Sequence, residues 1–137
     1  MNDIERTATE IVDAAVKLHI RVGPGLLESV YETLLGKELA RRGLPVERQK
    51  RISVRLDGIE FDRAFRIDLL VNGCVAVEIK SVDVLAAAHW KQLLTYLRLA
   101  DLRLGLLINF SEGRLKDGLK RVVNRYDGFG PSRLRVN

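Results

Sequence analysis

A chain of 137 residues, 47% of them hydrophobic and 30% charged, supplies core material for one globular domain, excludes intrinsic disorder, and leaves little length for a second domain. Its 23 Lys and Arg against 18 Asp and Glu give a net charge of +5, an excess that favours polyanionic partners without requiring them. The single cysteine, Cys74, excludes an intrachain disulfide and any cysteine-built metal or iron–sulfur centre.

Apolar residues recur at helical spacing from Ile4 through Ile11, Ala15 and Leu18 to Val22, and Gly23-Pro24-Gly25 ends that helix. A second helix is expected over about 26–42, with Leu27, Val30, Tyr31, Leu34 and Leu35 on one stripe and Gly43 as its stop. Ile52, Val54 and Leu56 alternate with Ser53 and Arg55 as in a half-buried strand. Asp57-Gly58 then turns the chain into a second strand over roughly 59–71, and Asn72-Gly73 turns it into a third, Val75–Lys80. A third helix is expected over about 84–100, and Leu104–Ile108 reads as a strand buried on both faces. A last helix is expected over about 114–125, from Leu115, Leu119 and Val122. The order ααβββαβα predicts a single α/β domain over residues 1–137, a mixed central sheet flanked by helices. No run approaches the ~20 apolar residues that span a bilayer. The N-terminus also lacks a positive region ahead of an apolar stretch, so a soluble, cytoplasmic protein is expected.

Two acids stand in apolar strands: Asp68 in Ile67-Asp68-Leu69-Leu70-Val71, and Glu78 in Val77-Glu78-Ile79-Lys80. Carboxylates there are costly unless they are paired, solvated or bound to metal. Turn geometry decides whether they share a face. A two-residue Asn72-Gly73 turn sets Asp68 opposite Val77 and turns Glu78 away. A three-residue loop, Val71-Asn72-Gly73 with Gly73 left-handed, pairs Leu70 with Cys74 and brings Asp68, Glu78 and Lys80 to one face. The odd-length loop is therefore the one that chemistry needs. Two hard-oxygen ligands on one face suit Mg²⁺ or Mn²⁺, and a neighbouring lysine would orient water and offset negative charge.

Three motifs stand in order along the chain: Gly25-Leu26-Leu27-Glu28-Ser29-Val30-Tyr31 as GxxExxY, Asp68 with Glu78-Ile79-Lys80 as D…ExK, and Gln92-Leu93-Leu94-Thr95-Tyr96 as QxxxY. With Gly105–Phe110 after them, the set resembles the GxxExxY protein family of the PD-(D/E)XK nuclease superfamily over residues 5–125. The resemblance implies a restriction-endonuclease-like core and a metal-dependent nuclease. Asp68, Glu78 and Glu28 would be its Mg²⁺ or Mn²⁺ ligands, Lys80 would assist the water, and Gln92 and Tyr96 would complete the catalytic set. Nucleic acid is the expected partner, DNA ahead of RNA, with oligomeric state undetermined. The competing expectation is a non-catalytic nucleic-acid-binding or interaction domain on the same scaffold.

Other residues read more plainly. Trp90 is expected to anchor packing, His89 to serve the surface or helix packing, and Cys74 to fill space; His19 has no visible partner. Arg41, Arg42, Arg48, Lys50, Arg51 and Arg55 form a basic cluster that either solvates its faces or contacts phosphates.

Overall fold

The computed structural model describes residues 2–125. Helix α1, Asp3–Val22, starts at Asn2, whose side chain accepts from the Glu5 amide at 2.8 Å. It stops at Gly23, whose φ of 82° closes the last turn. Helix α2 runs Glu28–Arg41 and α3 runs Ala87–Ala100. The strands are β1 Val46–Leu56, β2 Ile59–Val71, β3 Val75–Lys80, β4 Leu104–Asn109 and β5 Leu119–Val123. They lie side by side in the order β1-β2-β3-β4-β5. The β3–β4 pair is parallel and the other pairs antiparallel, so α3 is the crossover that a parallel pair requires.

The sheet has a core on each face. Ile11, Ala15 and Leu18 of α1, with Tyr31, Leu35 and Leu39 of α2, pack on Leu69, Val77, Ile79 and Leu106. Leu93 and Leu97 of α3 pack on Ile67, Leu70, Ala76 and Leu107. Alternation therefore holds from Leu69 to Val71 but slips before it, since Ile67 and Leu70 share a face. That slip coincides with Asp68. Among the described residues, no helix is long and apolar enough to cross a membrane.

One expected element is different. The last helix, placed over 114–125, is a short 3₁₀ turn, Leu115–Gly118, followed by strand β5. Leu115, Leu119 and Val122 fit a helical stripe, but Val122-Val123 is β-branched and pairs with Leu104 and Gly105. Gly118 is also pressed against β4: a Cβ there would meet the Asn109 carbonyl oxygen at 2.5 Å. The remaining order and the mixed α/β sheet are as expected.

Candidate active site

The β2–β3 loop has the parity that chemistry needs, in a different register. Val71 pairs with Val75 and Leu69 with Val77, so the loop is Asn72-Gly73-Cys74 rather than Val71-Asn72-Gly73. Both Asn72 (φ 54°) and Gly73 (φ 64°) are left-handed. The shift of two residues keeps Asp68 and Glu78 on one face and sets them directly across from each other.

The backbone ladder stops before this pair, and the carboxylates take its place. The Asp68 amide donates to Glu78 Oε2 at 2.9 Å, and the Ile79 amide donates to Asp68 Oδ2 at 2.8 Å. Each acid thus holds the other's strand. Burial pushes Glu78 up to about 8, helped by the charge of Asp68 and opposed by Lys80. Asp68 is raised as well, by burial first, with Glu32 adding repulsion and the Ile79 amide and Lys80 opposing it. Desolvated carboxylates that hold protons this tightly are a favourable setting for a cation, whose charge would offset both penalties.

Tyr96 on α3 is half-buried and stacks on Phe65 with ring centroids 4.2 Å apart. Burial raises its phenol, and the charges of Glu78 and Asp68 raise it further. Its hydroxyl therefore stays protonated at neutral pH, facing the field of both acids. Gln92, one turn earlier, is exposed.

Glu28 does not join the pair. Its carboxylate accepts from the Ser81 amide at 3.1 Å. It lines a cleft of about 480 Å³ between the α2 N-terminus and Ser81 and Ser111; Gln92 is not among the lining residues. Among the described residues, no group of three or more Asp, Glu, His or Cys side chains forms a ready-made ion site, so the expected cluster of Glu28, Asp68 and Glu78 is not assembled. Two carboxylates still fit Mg²⁺, which keeps several waters and takes one or two carboxylates alongside substrate phosphate.

The acid of α2 nearest in charge to the centre is Glu32, which raises both Asp68 and Glu78. It is buried and bridged to Asp68 through Gln49. Sequence reasoning passed over both residues. Glu28 and Glu32 are i, i+4 on one helix face, a spacing that could have flagged Glu32. Gln49 leaves no such mark.

The other singled-out residues are structural. Tyr31 is fully buried, donates to the Gly23 carbonyl at 2.6 Å and accepts from the Leu26 amide at 3.0 Å. It clasps the loop between α1 and α2. His19 bonds the Glu112 carbonyl at 2.7 Å through Nε2, and His89 Nδ1 accepts from the Ala86 amide at 2.9 Å. Trp90 packs against the α3 core, and Cys74 is partly buried beside Thr7. Within the basic cluster, Arg41, Arg42, Arg48, Lys50 and Arg55 each pair with an acid, so most of its charge is locally balanced.

A family model described as the PD-(D/E)XK nuclease superfamily matches residues 5–122. No curated protein matches the chain. Among solved structures, the crystal structure of SSO0001 superposes with a TM-score of 0.52 at 18% identity, covering 94% of this chain and 65% of that one. At that identity the likeness concerns the fold, and this chain spans about two thirds of the other's length. The match across most of the chain, over a mixed sheet that carries a facing Asp and Glu-x-Lys, places the protein in the PD-(D/E)XK nuclease superfamily.

Proposed function

We propose that the protein is a Mg²⁺- or Mn²⁺-dependent phosphodiesterase of the GxxExxY type that cuts nucleic acid, DNA ahead of RNA, in the cytoplasm. The observation that carries this reading is the facing pair Asp68 and Glu78, each fixed by the other strand's amide with Lys80 beside them. Those two carboxylates would hold the cation through hard oxygen ligands. When bound, the cation supplies Lewis acidity at a phosphoryl oxygen and lowers the pKa of water. Lys80 orients the attacking water and offsets charge that develops on the phosphate. Tyr96 contributes a protonated hydroxyl at the α3 side of the site. Water adds to phosphorus, one phosphorus–oxygen ester bond breaks, and the water proton is released as the alkoxide leaves and is protonated.

The test is a cleavage panel of single- and double-stranded DNA and RNA with Mg²⁺, Mn²⁺ or EDTA. Asp68→Asn should remove metal-dependent cleavage, and Lys80→Ala should slow it by a factor on the order of 10²–10³. Equal cleavage by wild type and Asp68→Asn would refute the assignment. Binding without cleavage by either protein would establish a scaffold that binds nucleic acid but does not cut it.

A further inference from the structure

Strand β1 pairs with β2 through Arg48↔Leu69 and Lys50↔Ile67, but the intervening Gln49–Asp68 pair is missing from the ladder. Gln49 has φ 50°, the left-handed region, where a residue with a Cβ is strained by on the order of 1 kcal/mol. Such strain persists only where the surroundings over-determine it.

The neighbours show what the strain achieves. In a regular strand Arg48 and Gln49 would point to opposite faces. Here both grip one acid. Arg48 Nε and an η-nitrogen lie 3.3 and 3.2 Å from Glu32 Oε2, and Gln49 Nε2 lies 2.6 Å from Glu32 Oε1. The same Gln49 amide nitrogen is 3.3 Å from Asp68 Oδ1. A primary amide has two N–H donors, and here each faces a carboxylate. Asp68 is thereby held from two strands, at Oδ1 by Gln49 and at Oδ2 by the Ile79 amide.

We propose that Gln49 is a positioning residue of the Asp68–Glu78 centre, its amide held between Glu32 and Asp68 so that the Asp68 carboxylate keeps one orientation toward a divalent cation. Glu32, not Glu28, is then the α2 acid tied to the centre, by hydrogen bond through Gln49 and by its own charge. This rests on the metal-dependent reading above. Partners that orient a metal ligand are worth roughly 10–100-fold in metal affinity or activity.

Two measurements on the full chain test it: calorimetric titration with Mn²⁺, and amide hydrogen exchange in the metal-free protein. Gln49→Gly removes the side chain and accepts a left-handed φ without strain, so the fold should survive. The variant should bind Mn²⁺ about 10-fold more weakly, and the Ile79 amide should exchange about 10-fold faster as its acceptor loosens. An unchanged Ile79 exchange rate overturns the proposal whatever the titration gives. Faster Ile79 exchange with unchanged Mn²⁺ affinity overturns the metal-positioning role. If wild type binds no Mn²⁺, the metal-dependent reading falls with it, and Ile79 exchange alone decides whether Gln49 clamps Asp68.

Discussion

Raising the pH of the metal-free protein should destabilise it, and Glu78→Gln should flatten that loss. Glu78 is 7% exposed, and its carboxyl moves from 4.5 up to about 8, first through burial and then through the charge of Asp68. The unfolded chain ionises this group near its ordinary value, whereas the folded chain keeps the proton until about pH 8. Across that window the folded state binds more protons, so stability falls as pH rises. At ~1.4 kcal/mol per pK unit, the displacement from 4.5 to about 8 corresponds to roughly 5 kcal/mol, fully lost only above pH 8. Asp68 is raised too and adds a loss of the same sign. Glutamine carries no charge and keeps an oxygen to accept the Asp68 amide, so the difference between wild type and Glu78→Gln reports Glu78 together with its coupling to Asp68. Urea midpoints measured in EDTA between about pH 5.5 and 8.5 give that difference. With Mg²⁺ present the trend should reverse, because a cation favours the ionised pair. Parallel pH profiles for the two proteins in EDTA would refute the reasoning.

Tyr31→Phe leaves the Leu26 amide and Gly23 carbonyl without their shared partner. It should cost about 1 kcal/mol in chemical denaturation, since water can reach the freed groups, with Mn²⁺ affinity unchanged because the site lies elsewhere. Gly118→Ala puts a Cβ 2.5 Å from the Asn109 carbonyl oxygen, and overpacking of about 1–3 kcal/mol should appear as a lower melting temperature. A melting temperature equal to wild type would show that the β4–β5 connection moves freely.

The facing acids were legible because side-chain parity is a coarse quantity. Once Asp68 and Glu78 were assigned to neighbouring strands, only the odd or even length of one loop mattered. The register was not legible, because tertiary contacts choose it. Asn72 donates its backbone amide to the Pro45 carbonyl at 2.7 Å and its side chain to Thr7 at 3.1 Å, which fixes Asn72 as the first loop residue, so Val71 stays in the strand and Cys74 joins the loop. The last element was misread because the i, i+4, i+7 spacing of Leu115, Leu119 and Val122 mimics a helical stripe, whereas Leu119 and Val122 pack into the cores on opposite faces of the sheet and partner choice lies in β4. Gln49 was hidden for a different reason: its left-handed backbone is imposed by Glu32 and Asp68, residues distant in sequence. Glu28 was over-read, since its motif spacing says which helix face it occupies but not which acceptor that face meets.

The lapse of both ladders beside Asp68 also makes it a mechanical joint. Beyond it, β2 residues 59–64 are all exposed, and the β1–β2 arm is tied back to α3 through Ile52, Phe65 and the Phe65–Tyr96 stack. A load applied to that arm passes Asp68 through side-chain hydrogen bonds, where the backbone ladders lapse. A strand of nucleic acid drawn against the arm would therefore pull on the carboxylate we propose as a cation ligand. Grip on the polymer and geometry at the scissile bond would be joined through one residue, without a separate relay.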